Sequence, residues 1–503
     1  MPILLGILIT LCIFLLNRRY GSFLGDEGYL WYGVQRVLQD EIPVRDFMSY
    51  EVGRYYISAA MLGAFGTHTI LALRASLAVI MAAGLCLSIG LVSRAWDERR
   101  ALWLLLPALL LAVWMVPRHK IFDIVISVVL VAAVAQVISR PRLSGFFWLG
   151  VATGLAAVIG QNHGLYALVA SSLTFLLIFV EMRNELQCIR CAGCWAGGVV
   201  IGYLPVIGFA CFVPGYLDAS MAALKFIFFE YKGTNLPLPV PWPWRASTFE
   251  QFAVGLCFVG MLIANVSGLV LLARGAWKRV ALKTPIFAGA VIVAIPYTDV
   301  AFARADSSHL AQALLPTLIA LLALPVLAAG SQWKRRLLWP CALLLVSCVA
   351  AVPLHPRFQA SIRDWKNIDL DGSVLTMDAG AVDILETVTG IRRRYGIEDS
   401  VVLAVPMFPG MNAALEQRNP TWEIYPLFPR NSLFQKQEIA RIQSASNAVI
   451  VVSTLPLDGR PQLSYMATHP DIYRYIVDHC NRIPEQRANS SLEFYLCHER
   501  AFR

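Results

Sequence analysis

Residues 121–139 read Ile-Phe-Asp-Ile-Val-Ile-Ser-Val-Val-Leu-Val-Ala-Ala-Val-Ala-Gln-Val-Ile-Ser, closed by Arg140. Asp123 is the one ionisable side chain in the run. Coiled as a helix at 1.5 Å per residue, the run reaches roughly 28 Å, close to the hydrocarbon core of a bilayer. Its apolar residues do not alternate with polar ones, as the strands of a membrane barrel require. This stretch reads as a helix that crosses a membrane.

The rest of the chain repeats the pattern. Of 503 residues, 57% are hydrophobic and 15% charged, against about 25% charged in a typical soluble domain. Apolar blocks fall near 2–16, 69–93, 101–116, 121–139, 146–160, 164–181, 192–213, 252–273, 285–303, 308–329 and 337–353. They predict an α-helical polytopic membrane protein with about eleven transmembrane helices. The first block has no basic segment before it and no small-residue cleavage site after it, so it reads as a retained helix.

Charge placement gives a topology. Five short loops carry Arg94, Arg99 and Arg100; Arg140 and Arg142; Arg183 and Arg190; Arg274, Lys278, Arg279 and Lys283; and Lys334, Arg335 and Arg336. Such loops face the cytoplasm. Two places depart from the trend: Arg18-Arg19 after the first helix, and Pro117-Arg118-His119-Lys120. The net charge of +9 is thus mostly topological. It forms no basic face interleaved with aromatics, which argues against nucleic acid as a partner.

From about residue 354 charges become frequent. Val401–Val405 and Ala448–Ser453 read as buried strands, with helices over Asp378–Tyr395 and Leu433–Ser444 between them. The predicted division is a membrane domain over 1–353, with a long first outer loop at 17–68, and a soluble α/β domain over 354–503. Topology puts that tail outside the cytoplasm, on the periplasmic side of an inner membrane. There Cys480 and Cys497, the two cysteines of the tail, can pair as a disulfide. Cys188, Cys191 and Cys194 have a metal-like spacing but no fourth ligand cluster, and read as ordinary helix cysteines.

The first outer loop holds Gly25-Asp26-Glu27-Gly28-Tyr29 directly after a membrane helix. A carboxylate beside a bilayer is costly unless it is solvated, paired or used. One of the pair could take a proton from an acceptor hydroxyl while the other orients it, and the two together permit a divalent cation. The same pair also suits a plain helix start. Downstream, Pro43–Tyr56 and the apolar run to Gly66 read as a second amphipathic helix along the interface, whose Arg54 and Tyr55 could line a substrate mouth. Arg118 and Lys120 suit a phosphate, with Asp123 one turn into the next helix as a local partner. Gln161-Asn162-His163 is a polar break between two apolar helices. Arg304, Asp306 and His309 could bind phosphate or sugar hydroxyls, or could make a capped helix start. The case for a site is that these groups share one membrane face.

Asp26-Glu27-Gly28-Tyr29 after the first helix, the Arg45–Gly66 segment leading into Leu73-Arg74-Ala-Ser-Leu, and the placement of Asp123 together resemble the GT-C membrane glycosyltransferases. The likeness is to the bacterial group related to protein mannosyltransferases and aminoarabinose transferases, over roughly residues 1–350. It implies a GT-C-like fold with two juxtamembrane helices in the first outer loop, and Asp26 as a catalytic base beside Glu27. It implies a polyprenyl-phosphate sugar donor, inversion by single displacement, and a cell-envelope glycan, lipid or protein as acceptor. Arg118, Lys120 and Arg304 would stabilise the departing phosphate. Where relatives carry a Lys-Gly-Pro-like turn, this chain has Gln161-Asn162-His163-Gly164.

Two other classes fit a many-helix chain. A transporter or flippase would place ionisable groups near helix midpoints and show paired half-repeats; neither is visible. A non-catalytic envelope assembly protein would tolerate loss of both Asp26 and Glu27.

Overall fold

The computed structural model describes residues 1–182, 185–233, 235–277, 284–327, 332–370, 372–445, 447–484 and 491–498. Arg183, Lys278, Arg279 and Lys283 of the basic loops lie outside them. The helices in chain order are α1 Pro2–Asn17, α2 Asp26–Leu38, α3 Val52–Phe65, α4 Ile70–Trp96, α5 Ala101–Val113, α6 Ile121–Ser139 and α7 Leu143–Ile159. Then come α8 Gln161–Met182, α9 Glu185–Phe212, α10 Tyr216–Lys225, α11 Phe249–Trp277, α12 Pro285–Ala303, α13 Ser307–Ala323 and α14 Gln332–Ala351. The tail adds α15 Pro356–Ile362, β1 Trp365–Leu370, β2 Ser373–Asp378, α16 Ala379–Arg394, β3 Val401–Val405, α17 Gly410–Ala414 and α18 Ser432–Gln443. It ends with β4 Asn447–Ser453, α19 Tyr465–Thr468, α20 Pro470–His479, β5 Asn481–Ile483 and β6 Leu492–His498.

Among the described residues, each of the eleven apolar blocks lies for the most part in a helix. Among the described residues, seven helical stretches are long and apolar enough to cross a membrane, in α4, α6, α8, α9, α11, α12 and α14. The apolar helices α1, α5, α7 and α13 are shorter, at 16, 13, 17 and 17 residues. Each of these reaches roughly 20–26 Å at 1.5 Å per residue, less than a full hydrocarbon core.

By internal contacts the chain forms two compact units: Met1–Arg18, Arg74–Pro214 and Thr234–Gln359; and Arg19–Leu73, Gly215–Gly233 and Ala360–Arg503. In the first unit the closest helix pair is α7 with α9. Gly150 and Gly154 on α7 meet Gly198 and Gly202 on α9. A Cβ on Gly150 would strike the Trp195 carbonyl oxygen, and one on Gly202 the Val151 carbonyl oxygen. Two small-xxx-small faces let the backbones touch, which is how apolar helices gain contact where lipid removes the hydrophobic drive. Elsewhere α12 packs against α6 and α13.

In the second unit, β1 and β2 make an antiparallel hairpin. The strands β3, β4, β6 and β5 make a mixed sheet in that order, with β3 parallel to β4 and the other pairs antiparallel. Leu403, Val405, Ile450, Val452 and Ile476 fill its core. Cys480 after α20 is bonded to Cys497 in β6. The expected strands and helices of the tail are found within a residue or so of their predicted ends.

The predicted second amphipathic helix starts later than the sequence suggests. Residues 43–51 are not helical, because Asp46 turns back on the chain: its Oδ2 accepts the Ile42 N–H at 2.8 Å, and Val44 adopts φ 73°. The helix α3 begins at Val52 and stops at Gly66, which takes the left-handed conformation.

Candidate functional site

Asp26 is the first residue of α2, after Gly25. It is exposed, while Glu27 is buried at 6% exposure. The two carboxylates therefore have different surroundings, and Asp26 is the one a soluble group can reach. The approach to Asp26 is fixed by glycine. A Cβ on Gly28 would strike both the Phe23 carbonyl oxygen and the Gly410 Cα, and Gly410 donates its N–H to the Leu24 carbonyl at 2.9 Å. The turn before α2 thus rests on the start of α17.

A line of contacts runs from Asp26 through side chains. The Tyr425 hydroxyl donates to Asp26 Oδ1 at 3.0 Å. The Tyr425 ring lies 5.4 Å from that of Tyr29, and Tyr29 meets Tyr50 edge-on at 5.0 Å. The Arg54 guanidinium sits 4.8 Å over the Tyr50 ring. Tyr55 is fully buried and accepts the Tyr50 N–H at 3.2 Å. Burial first, then Tyr55 and Tyr50, push the Tyr29 hydroxyl well above its usual range, so it stays protonated. The result is an exposed carboxylate at a helix N-terminus, flanked by neutral phenols and one guanidinium.

The sequence marks Asp26, Glu27, Arg54 and Tyr55 but not Tyr425 or Tyr50. Tyr425 lies in Asn419–Pro426, a stretch without helix or strand, which periodicity cannot flag. The rest of that stretch is anchored nearby. Asn419 N–H donates to the Tyr32 hydroxyl at 2.9 Å, and Trp422 Nε1 donates to the Val44 carbonyl at 3.0 Å.

A separate cluster belongs to the first unit. Asp123, 4% exposed, and His163, 5% exposed, are joined Oδ1 to Nε2 at 2.8 Å. The other ring nitrogen of His163 meets the Tyr297 hydroxyl at 2.9 Å, and the two rings stack. Nearby, Tyr166 donates to Asp299 at 2.8 Å. The expected polar break at 161–163 is instead the start of α8. The chain breaks at Gly160, and His163 lies in the first turn of the helix with its ring inside.

Arg304, Asp306 and His309 come together as a capped helix start. Asp306 Oδ1 accepts the His309 N–H at 2.8 Å and contacts the His309 ring at 2.8 Å. Arg304 holds Asp306 Oδ2 at 3.1 Å and the Leu236 carbonyl at 2.9 Å. Burial pushes the Asp306 carboxyl up, but His309 and Arg304 outweigh it and hold it below the usual range. Arg118 and Lys120 form a short 3-10 turn before α6, and Arg118 donates to the Asn17 carbonyl at 2.9 Å. Among the described residues no group of three or more His, Cys, Asp or Glu side chains is placed to hold a metal ion.

The chain is similar in structure to an archaeal oligosaccharyltransferase. The apo enzyme of Archaeoglobus fulgidus aligns at a TM-score of 0.47 with 12% identity, covering 96% of this chain and 72% of that one. The same enzyme with zinc and sulfate gives 0.44 and 11%, covering 99% and 73%. Its complex with an inhibitory peptide and a dolichol-phosphate gives 0.45 and 11%, covering 95% and 72%. No protein-family model matches the sequence, and no curated protein matches it.

Proposed function

We propose that this chain is a membrane glycosyltransferase of the GT-C type. In this reading it moves a sugar from a polyprenyl-phosphate donor to a glycan, lipid or protein of the cell envelope. The observation that carries the reading is Asp26: an exposed carboxylate at the start of α2, held by Tyr425 and set beside Glu27, which is buried. In the proposed step Asp26 accepts the proton of an acceptor hydroxyl. The hydroxyl oxygen bonds to the anomeric carbon from the face opposite the leaving group, and the carbon–oxygen bond to the phosphate breaks. The phosphate keeps the bonding electron pair and leaves, so the anomeric centre inverts. Arg118, Lys120 and Arg304 are the cations assigned to the leaving phosphate. Arg54 and Tyr55 shape the acceptor side, Asp123 and His163 support the donor side, and Asp306 and His309 fix Arg304. A divalent cation at Asp26 and Glu27 would need further ligands beyond this pair.

The proposed setting is an inner membrane, with residues 354–503 as a domain on the periplasmic side. Transport is less well supported. Asp123, His163 and Asp299 all lie within about a turn of a helix end, not at midpoints. The test is transfer from a polyprenyl-phosphate sugar by the full-length protein in membranes. Asp26→Asn should reduce transfer to background while the protein still folds. Transfer that survives this change would sink the assignment of the base.

A further inference from the structure

A half-open cavity of about 610 Å³ lies at the end of α6 remote from Asp123, with all of its walls in the first unit. Its volume is within the range of sites that hold small ligands. Two helix stripes run along it. On α4, Leu87, Gly90, Leu91 and Arg94 recur at helical spacing, and on α6 Ala132, Ala135, Gln136 and Ser139 do the same. The first turns of α1 and α12 complete the wall. Small residues keep the space open: a Cβ on Gly90 would meet nothing within 4 Å, and Ala132 and Ala135 offer only a methyl group.

The polarity of the cavity is one-sided. Arg94, Gln136 and Ser139 belong to the last turns of their helices. From Arg94 to Leu87 the wall then runs apolar for about two turns, roughly 10 Å. The one polar group deeper in, the Cys86 thiol, is spent on the Ile3 carbonyl at 3.3 Å. Stretches in α4, α6 and α12 are long and apolar enough to cross a membrane, so a half-open cavity along them meets acyl chains. A basic residue in the last turn of a helix has ordinary uses: it opposes the helix dipole, and it marks a loop that faces the cytoplasm. Neither use calls for a cavity. Other guanidinium groups of this end have partners within the protein, since Arg100 and Arg336 hold Glu98 at 3.1 and 2.7 Å. Among the described residues Arg94 has no such partner. It is exposed, and its planar fork of donors remains available to an anion.

We propose that this cavity binds an anionic phospholipid of the leaflet on the side of the basic loops. Its phosphate lies against Arg94 and the Gln136 amide, and one acyl chain runs along Leu87, Gly90 and Ala132. Basic pockets between membrane helices on that side suit anionic head groups. A soluble anion has no use for the apolar walls. A zwitterionic lipid gains the walls, but its own ammonium competes with Arg94 for the phosphate. The inference stands apart from the glycosyltransferase reading and uses none of the residues assigned there.

The experiment is photo-cross-linking of the full-length protein in bilayers, with a diazirine on the acyl chain of either phosphatidylglycerol or phosphatidylcholine. Peptide mass spectrometry locates the adducts. Wild type should carry phosphatidylglycerol adducts on residues 86–94 and 132–139, at about ten times the yield from phosphatidylcholine, the worth of one charge-assisted contact. Arg94→Gln should bring the phosphatidylglycerol yield down to that of phosphatidylcholine, while Arg94→Lys keeps most of it. Gly90→Leu places a side chain in open space, and should remove the adducts of both lipids from these segments without lowering Tm. Equal labelling of wild type by the two lipids overturns the inference. So does the absence of adducts from both segments, or phosphatidylglycerol labelling that Arg94→Gln leaves unchanged. None of these readouts is sugar transfer, so transfer that survives Asp26→Asn overturns the proposed function alone and leaves the lipid site standing.

Discussion

The Tyr425 hydroxyl donates a hydrogen bond to Asp26 Oδ1 at 3.0 Å, between residues 399 positions apart. A bond from a neutral phenol fixes the carboxylate's rotamer while leaving its charge intact. If Asp26 is the base, Tyr425 is a positioning residue, since no part of it needs to react. Tyr425→Phe keeps the ring against Tyr29 and removes only the donor. It should lower kcat for transfer about tenfold, the effect of losing one hydrogen bond to a charged group, and leave KM for the acceptor within about twofold. An unchanged kcat would show that the bond has no part in turnover.

The contact of α7 with α9 predicts a steric asymmetry among glycines of one helix. Gly202→Leu drives a side chain into the Val151 carbonyl, whereas a Cβ on Gly197 meets nothing within 4 Å. Overpacking of this kind costs about 1–3 kcal/mol. Thermal unfolding in detergent should therefore show a clear fall in Tm for Gly202→Leu and little change for Gly197→Leu. Equal effects would mean that the helices do not cross at this point.

Glu98, between α4 and α5, predicts an acid limb of stability. It accepts from the Arg100 side chain at 3.1 and 3.2 Å, from the Arg99 and Arg100 N–H groups at 3.0 Å, and from Arg336 at 2.7 Å. The Arg100 side chain first, then its backbone N–H, lower the Glu98 carboxyl from 4.5 to about 2. A carboxylate depressed by folding stabilises the native state fully above its unfolded value and loses that contribution as pH falls through the folded one. The Tm advantage of wild type over Glu98→Gln should be constant above about pH 5 and shrink from there toward pH 2. A difference that does not change with pH would contradict the assignment.

The membrane helices were legible because each is a long apolar run, a signal carried entirely within its own residues. Their span count was less so: α5 and α7 stop where Pro117 and Gly160 follow, and hydropathy alone does not weigh such stops. The strands β3 and β4 were legible as short apolar runs, while β6, whose Leu-Glu-Phe-Tyr-Leu-Cys-His run is more polar, was not. The start of α3 was obscured by a side chain, since only the bond from Ile42 to Asp46 shows that residues 43–51 turn back. Around Asp26 the acidic pair could be read, but its partners could not. Tyr425 belongs to a stretch with no periodicity, and what brings it to Asp26 is the seating of Gly410 against Gly28. Asp123 and His163 were each marked, yet their pairing across 40 positions depends on how α6 and α8 pack.

The second compact unit is drawn from residues 19–73, 215–233 and 360–503. A ribosome delivers these pieces at three well-separated moments, and Gly28 leaves it long before Gly410 does. The turn that carries Asp26 therefore has no seat for most of the time the chain is being made. It is completed only when the tail has been synthesised and has folded back onto it. A protein halted after α14 would hold every apolar block and the acidic pair, but not the surface on which that pair is set.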